Sequence, residues 1–464
     1  MPQPTSWLPD GFLELIPKSD LHVHLDGSLR LSTLIELAQS SGVVLPAYTE
    51  EGMREAVFKE SFSSLVDYLR GFSFTVAVMK TRANVERVAY EFGIDNYAEG
   101  VRYFEIRFAP QLLASTDKAA NFNIRDVVRA VNTGLKRAKA EANARGLLAG
   151  EPEYDYGIIV CAMRMFPETD YFDAFSQLHP DLDHDRIFSL ASETLIATAV
   201  KCRDEDGIPV VALDIAGAED GFPNKTHSEA FRAAHAAFFS KTVHAGEGYG
   251  PQSILQAVID LHAERIGHGF HLFSHDQITG VPGPEQRVEL VRKLVKYICD
   301  RRICLEVCLT SNLGTMPGLR LEDHAVRKML AAGVSVSLCT DNRLVSDTTT
   351  VKELRKAVEA FALTPKQLRE VVITGFKRAF FHGEYAHKRR YMRTVMDYYD
   401  ALALRFRVAE AYEAFALANR EYCAARAVSA SPLPWQPASP PKDAAAAAAA
   451  DAAAASDVDD GGGD

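Results

Sequence analysis

The sequence predicts a parallel (β/α)₈ barrel, and three observations indicate it. Eight short runs of apolar and β-branched residues recur along the 464-residue chain, and amphipathic segments with helical periodicity separate them. A hydrophobic share of 47% with 24% charged residues is typical of a packed soluble protein and excludes general disorder. Eight such alternations favour a closed barrel over an open doubly wound sheet.

The predicted strands are rich in residues that favour extended backbone. The first four are SDLHVHLDG at residues 19–27, VRYFEIRFAP at 101–110, YGIIVCAMR at 156–164 and IPVVALDIAG at 208–217. The second four are KTVHAGE at 241–247, ERIGHGF at 264–270, RICLEVCLTS at 302–311 and VSVSLCTDN at 334–342.

The segments between these runs predict the helices of the barrel. Examples are NIRDVVRAVNTGLKRAKAEANARG, SILQAVIDLHAERIG and PEQRVELVRKLVKYICDRR, each with an apolar stripe at helical spacing. Residues 31–100 are far more than one crossover needs. We therefore expect extra helices there, which cover the mouth of the barrel.

The composition changes near residue 420, which divides the chain into two predicted regions. Residues 1–420 are predicted to form a single barrel domain with helical additions. Residues 421–464 are rich in Pro, then in Ala, then in Asp and Gly, and have little apolar surface to bury. We predict a disordered tail there; a solvated extension is favoured over a segment that docks a partner.

Charge and cysteine content restrict the partners and the compartment. The chain has 62 acidic and 51 basic residues, a net charge of −11, which argues against a nucleic-acid partner. Near the first residue there is no basic segment followed by an apolar one, the pattern of a secretory signal. No apolar run reaches the roughly 18 residues of a membrane span. The seven cysteines show no CxxC spacing. We expect a cytoplasmic protein with free thiols and no membrane partner, and the oligomeric state stays open.

Polar side chains end four of the eight predicted strands. They are His22 and His24 on the first, His244 and Glu247 on the fifth, His268 on the sixth and Asp341 on the eighth. Parallel strands of a barrel have their carboxyl ends at one mouth, so these side chains can converge there. The strand period of two places His22 and His24 on one side of the first strand.

Each of these residues also has an ordinary structural interpretation. One His near a strand end is more often hydrogen-bonded than a metal ligand, Asp341 could cap the helix that follows it, and Glu247 could form a surface ion pair. The set as a whole is harder to explain, because three imidazoles and a carboxylate buried without a cation would be costly.

The ligand types select the metal. Imidazole nitrogens with one carboxylate and no thiolate suit Zn²⁺, with Fe²⁺, Mn²⁺ or Co²⁺ as substitutes. A related two-metal barrel hydrolase would have a bridging lysine on the fourth strand, which here reads VVALDIAGAED and has none. We therefore expect one metal ion per chain.

Between about residue 13 and residue 380 the chain resembles the adenosine deaminase family of metal-dependent barrel hydrolases. The motifs that carry the resemblance are, in order, KSDLHVHLDGSLR, VHAGEGYGPQSI, RIGHGFHL, LEVCLTSNLGT and LCTDNRLVSDTT. The resemblance implies a metal-dependent hydrolase that deaminates adenosine and 2′-deoxyadenosine to inosine and deoxyinosine with release of ammonia.

The resemblance also implies a role for each matching residue. It assigns zinc to His22, His24, His244 and Asp341; proton donation to purine nitrogen 1 to Glu247; and orientation and deprotonation of the attacking water to His268. For the substrate it assigns the ribose 5′-hydroxyl to Asp26, purine nitrogen 3 to the backbone N–H of Gly217, and the apolar lid and pocket lining to Tyr68, Leu69, Phe72 and Met163.

Asn342 departs from the family pattern, in which a second aspartate commonly follows the one corresponding to Asp341. That acid is thought to meet purine nitrogen 7, which only accepts hydrogen bonds. Asn342 can donate without being protonated, so we expect purine recognition to persist with a flatter pH dependence on the acid side. A plain loop or capping role for Asn342 is the alternative.

Several other interpretations of function stay open. A nucleotide is disfavoured, because Asp26 would repel a 5′-phosphate and only Arg30 lies near that motif. Adenine, or a 5′-modified adenosine such as aminodeoxyfutalosine, fits the same chemistry. A catalytically silent purine-binding homologue would be expected to lack Glu247 or a metal ligand, and GEGYG at residues 246–250 does not have the glycine spacing of a dinucleotide loop.

Overall fold

Eight parallel strands in sequential order form a single sheet in the computed structural model, which describes residues 6–59, 62, 65–117, 121–166, 169–426 and 433–436. The strands are β1 Lys18–His24, β2 Val101–Phe108, β3 Asp155–Met163, β4 Val210–Ala216, β5 Ser240–Ala245, β6 Arg265–His268, β7 Cys304–Val307 and β8 Ser335–Leu338.

Helices surround the sheet and connect its strands. In chain order they are α1 Phe12–Leu15, α2 Leu31–Ser41, α3 Glu50–Ala56, α4 Leu65–Leu69, α5 Phe72–Val78, α6 Arg82–Ala98, α7 Pro110–Leu113, α8 Ile124–Gly146, α9 Asp170–Gln177, α10 His184–Asp204, α11 Ser228–Ala236, α12 Pro251–Ile259, α13 Pro284–Arg301, α14 Leu309–Thr315, α15 Val326–Ala331, α16 Thr350–Phe361, α17 Pro365–Arg378, α18 Tyr385–Arg405, α19 Val408–Ala418 and α20 Arg420–Arg426. None of these helices combines the length and the hydrophobicity needed to cross a bilayer.

The first and last strands meet through Asp341, three residues after the end of β8, rather than along a regular ladder. The backbone N–H of His24 donates to the carbonyl of Asp341 over 2.7 Å, and the N–H of Asp341 donates to the carbonyl of His22 over 2.8 Å. An isolated parallel bridge pairs Val23 with Asp341 at the same place. These bonds close the barrel, and the predicted (β/α)₈ fold is confirmed.

The barrel strands are buried on both faces, as expected when helices cover a parallel sheet. All eight residues of β2 are buried, including Glu105 and Arg107. Apolar side chains such as Phe104 and Ile106 alternate with these charged ones along β2. The barrel interior therefore contains charged residue types, whose polar groups need partners there.

Local sequence signals set several helix boundaries. α17 begins at a capping box, in which the Thr364 hydroxyl accepts from the backbone N–H of Gln367 while the Gln367 side chain accepts from Thr364. α8 begins after Asn123, whose side chain accepts from the N–H of Asp126. The long segment between β1 and β2 forms α2–α6, so the expected extra helices are present.

The predicted boundary at residue 420 falls at the start of α20, which continues to Arg426. Beyond it, Leu433 is buried and the ring of Trp435 lies 6.2 Å from that of Phe273. The described fold thus extends past residue 420. The rest of the predicted disordered tail, at 427–432 and 437–464, lies outside the described residues, and its disorder stays a prediction.

Candidate active site

The carboxyl ends of three strands bring four of the predicted residues together. His22 and His24 end β1, His244 lies near the end of β5, and Asp341 follows β8. One potential ligand atom from each lies within 4.8 Å of all the others. The Nε2 atoms of His24 and His244 are 3.2 Å apart, and Oδ1 of Asp341 lies 3.4 Å from Nε2 of both His22 and His24.

Two buried carboxylates orient the imidazoles. Nδ1 of His22 lies 2.8 Å from Oε2 of Glu306, and Nδ1 of His244 lies 3.0 Å from Oδ2 of Asp214. A carboxylate can only accept, so each Nδ1 donates and each Nε2 presents its lone pair to the cluster. Nε2 of His22 is buried with no hydrogen-bond partner. This donor set fits a divalent metal ion, because ligating histidines commonly donate their other N–H to a carboxylate.

Arg107 lies behind the cluster and joins the two orienting carboxylates. Its Nη1 donates to Oδ2 of Asp214 over 2.7 Å and its Nη2 to Oε2 of Glu306 over 2.8 Å, with all three side chains fully buried. Burial opposes ionisation of both acids, but His244 and Arg107 lower the pKa of Asp214, and Arg107 and Arg265 lower the pKa of Glu306, below their usual values. Both acids therefore remain ionised.

Sequence reasoning did not identify this supporting layer. The available signal was a charged residue within an otherwise apolar barrel strand: Arg107 in VRYFEIRF, Asp214 in VVALDIA and Glu306 in CLEV. Such residues are almost never fully buried unless they are paired.

Asp341 and His268 both adopt left-handed backbone conformations, with φ of 59° and 60°. Residues other than glycine rarely do so, and the strain is tolerated mainly at functional sites. The Ser311 hydroxyl donates to Oδ2 of Asp341 over 2.6 Å.

Burial would raise the pKa of Asp341, but His22 and His268 hold it below its usual range. Burial lowers the pKa of His24 well below its usual value, so His24 is neutral, as a ligand must be.

Glu247 and His268 lie beside the cluster, with Oε2 of Glu247 3.6 Å from Nε2 of His268. Glu247 follows β5 in a turn and is 8% exposed. Burial, together with the charge of Asp341, raises the pKa of Glu247 to about 8. Burial also lowers the pKa of His268 to about 4. The pair at neutral pH is therefore a protonated carboxylic acid beside a neutral imidazole, which suits proton donation and proton acceptance respectively.

A cleft of about 940 Å³ opens above the cluster. All the residues predicted to bind substrate line it: Asp26, Tyr68, Leu69, Phe72, Met163, Gly217 and Asn342. The residues predicted to form an apolar lid, Tyr68, Leu69 and Phe72, lie on α4 and α5, within the extra helices between β1 and β2. A larger cleft of about 1300 Å³, lined by Asp155 and Ser240 among others, lies at the opposite end of the barrel and contains none of the predicted site residues.

Asp26 is buried in the cleft, and its Oδ1 has no hydrogen-bond partner. Burial raises the pKa of Asp26 to about 7, and the charge of Asp341 acts in the same direction. Gly217 has a φ of 107°, a backbone conformation that residues with a Cβ rarely adopt. An acceptor or donor at Asp26 and a glycine backbone at residue 217 are thus both available to a polar ligand.

Asn342 has a partner that the sequence did not predict. Its Nδ2 donates to Oη of Tyr68 over 2.8 Å, whereas its buried Oδ1 has no partner. The Tyr68 hydroxyl also lies 2.9 Å from Oγ of Ser346. A Cβ on residue 27 would lie 2.0 Å from Oδ1 of Asn342, so the absence of a side chain at Gly27 lets this amide approach the strand end. One N–H of Asn342 thus links it to Tyr68 of α4.

Known proteins resemble this chain over most of its length. The family model for adenosine deaminase matches residues 17–398. An adenosine deaminase from Mycobacteroides abscessus is 35% identical over 366 residues, which are 78% of this chain and 90% of that protein. A probable adenosine deaminase from Dictyostelium discoideum is 30% identical over 369 residues, 79% of this chain but 41% of that longer protein.

Among solved structures, a crystal structure of an amidohydrolase from Burkhoderia ambifaria with bound Zn is similar in fold. It has a TM-score of 0.66 and 21% sequence identity, and the match covers 85% of this chain and 94% of that one.

Proposed function

The chain belongs to the adenosine deaminase family, and we propose from that premise that it hydrolyses adenosine and 2′-deoxyadenosine to inosine and deoxyinosine. The family supports hydrolytic deamination. The observation that carries the proposal is a buried Glu247, whose pKa burial raises to about 8, beside a His₃Asp cluster in one cleft. That combination provides a metal site and a proton donor at the place where a purine can enter.

We propose that His22, His24, His244 and Asp341 hold a single Zn²⁺. The unpartnered Nε2 of His22 and the carboxylates on Nδ1 of His22 and His244 support this assignment. Three imidazoles with one carboxylate and no thiolate are a donor set that zinc accepts. Such an ion supplies a Lewis acid that makes water nucleophilic near neutral pH.

The protein's own residues supply the remaining chemistry. Water adds at carbon 6 of the purine while nitrogen 1 receives a proton, so the bond between those two atoms loses its double-bond character. Glu247 provides that proton, which it holds at neutral pH because it is buried. His268 orients the water and accepts its proton. The amino group takes the proton held by His268 and leaves as ammonia, the new hydroxyl on carbon 6 returns its proton to Glu247, and the product is the 6-oxopurine nucleoside.

Substrate selection is proposed to depend on Asp26. With its pKa raised to about 7, Asp26 is partly ionised at neutral pH, and its ionised form would repel a 5′-phosphate but accept a hydrogen bond from a 5′-hydroxyl. Arg30 is not free to neutralise a phosphate, because its Nη2 donates to Oδ1 of Asp95 over 2.6 Å. Lys80 also lines the cleft, but its ammonium donates to the carbonyl of Leu112 over 2.6 Å.

A panel of substrates tests the proposal. We expect adenosine and 2′-deoxyadenosine to be deaminated with kcat/KM at least about a hundredfold above that of AMP, because the phosphate would place a dianion beside Asp26. Adenine and 5′-modified adenosines complete the panel, and the ultraviolet change on deamination measures each rate. Glu247→Gln, purified in parallel, is the control for contaminating deaminase. Faster turnover of AMP, or of adenine, would contradict the assignment.

Asn342 is proposed to donate its second N–H to purine nitrogen 7. Replacing it by Asp places an acceptor-only carboxylate at neutral pH where a donor is needed. We expect Asn342→Asp to weaken binding of a non-hydrolysable purine nucleoside by about tenfold, measured by calorimetry at pH 7.

Tyr68→Phe is the matched control for this variant, since it removes the protein partner of Asn342 without removing a donor to the ligand. An Asp can donate to nitrogen 7 only while it is protonated, so an unchanged pH profile of affinity in Asn342→Asp would contradict the proposed contact.

A further inference from the structure

The turn after β5, which carries Glu247, encloses one buried carboxylate. The side chain of Glu219, from the segment after β4, accepts the backbone N–H groups of four consecutive residues, 246–249, over 2.7–2.9 Å. The Ser253 hydroxyl donates to the same carboxylate over 2.7 Å. Five donors therefore converge on Glu219, which fixes the whole turn to a different strand of the barrel.

Glu219 stays ionised in this position. Burial would raise its pKa, but Arg164, Ser253 and the N–H groups of the turn lower the pKa below its usual value. Arg164 lies 3.8 Å from Oε1 of Glu219 and also donates to the carbonyls of Phe222 and His244. Hydrogen bonds to an ionised acceptor are stronger than those between neutral groups. The turn is thus organised around a permanent negative charge.

That charge lies close to the acid of the proposed reaction. One of the four N–H groups that Glu219 accepts belongs to Glu247 itself. The charged and titratable groups that act on Glu247 come from several elements: His22 of β1, His244 of β5, His268 of β6, Asp341 after β8 and Glu219 after β4, with Arg164 after β3. Asp341 and Glu219 favour the protonated form of Glu247, and His244 and His22 oppose it.

We propose that Glu219 is a positioning residue for the deamination: it fixes the turn that presents Glu247 to the purine and supplies the negative charge beside that acid. This inference rests on the proposed function of Glu247. It gives the carboxylate of Glu219 two separable effects, one on the geometry of the turn and one on the protonation of Glu247. A purely structural Glu219 would have only the first.

Two substitutions separate these effects. Glu219→Gln removes the charge and turns one acceptor oxygen into an NH₂ that faces donors of the turn, so it alters both charge and geometry. Glu219→Asp keeps the charge and alters only the geometry. The matched control is Asp155→Asn, which alters another buried carboxylate, hydrogen-bonded to Lys139 and His382 at the opposite end of the barrel.

The first readout is the pH dependence of kcat for the metal-loaded enzyme. Glu247 acts as an acid, so the rate falls as pH rises through its pKa. The charge of Glu219 raises that pKa, so we expect the alkaline limb of Glu219→Gln to move to lower pH than in the parent. Glu219→Asp should lose roughly tenfold in kcat with its alkaline limb in place, because the turn is displaced but the charge remains. Asp155→Asn should keep the parental profile.

The second readout does not need turnover. Infrared difference spectra between the parent and Glu247→Gln isolate the protonated carboxyl band of Glu247, and its loss with rising pH is then followed in the Glu219 variants. The midpoint should be lower in Glu219→Gln than in Glu219→Asp.

The outcomes distinguish the two hypotheses. If Glu219→Gln folds and binds metal but its alkaline limb of kcat and its infrared midpoint both match those of the parent, Glu219 has no electrostatic role and the inference is wrong. If the infrared midpoint moves but no adenine compound is turned over by the parent, the proposed function fails while the link between Glu219 and Glu247 stands.

Discussion

Replacing Glu247 by Gln is expected to lower kcat for adenosine by roughly a thousandfold, the upper part of the range for loss of a general acid. The amide keeps the size of the side chain but has no proton acidic enough to transfer to nitrogen 1. Because Glu247 is already protonated and neutral at pH 7, the neutral amide should change stability little. The measurements are kcat from the ultraviolet change, bound metal by elemental analysis and the melting temperature.

Glu353→Gln provides the control for Glu247→Gln. Glu353 is also a buried carboxylic acid whose pKa burial raises, but it accepts from Thr310 and Thr348 and does not line the cleft. Its substitution should leave kcat near the parental value. If Glu247→Gln retained more than a tenth of the parental kcat, the proposed proton donor would have to be another group.

Removing one proposed metal ligand should also have a large effect, on both metal binding and turnover. We expect His22→Ala to weaken metal binding by more than about a hundredfold and to abolish turnover. Losing only a residue that orients a metal ligand typically weakens metal binding about 10–100-fold. The substitution removes one nitrogen of the cluster and leaves Glu306 without its imidazole partner. Competition with a metal-binding dye gives the affinity, and elemental analysis after dialysis gives the occupancy.

His227→Ala is the control for the His22 variant. His227 is also fully buried, and its Nδ1 lies 2.9 Å from the Ser192 hydroxyl, away from the cluster. Its loss should reduce stability but not occupancy. Full occupancy at parental affinity in His22→Ala would refute the ligand assignment.

The spacing of residues within single strands predicted much of the fold and part of the site. The period of two in HVH indicated that His22 and His24 face the same side, and both reach the cluster. The predicted strand ends were less accurate. The run at 302–311 was expected to be extended throughout. In the structure β7 ends at Val307 and α14 begins at Leu309. The helix begins where the apolar stretch of the strand gives way to a more polar segment.

Features that depend on several strands at once could not be predicted from the chain alone. Arg107 links Asp214 to Glu306, which are 92 residues apart in the sequence, and only barrel closure brings the three together. Glu219 and the turn it holds come from neighbouring strands for the same reason. The bond between Asn342 and Tyr68 depends on how the extra helices lie over the mouth, which hydrophobic periodicity does not specify.

The join between β1 and β8 gives the proposed metal a second consequence. His22 and His24 lie on one side of that join and Asp341 on the other, at the point where the backbone bonds close the barrel. An ion bound by all three would tie the first strand to the last across more than 300 residues of chain. Global unfolding would then require the ion to dissociate, so occupancy would govern how long the native state persists as well as whether it reacts.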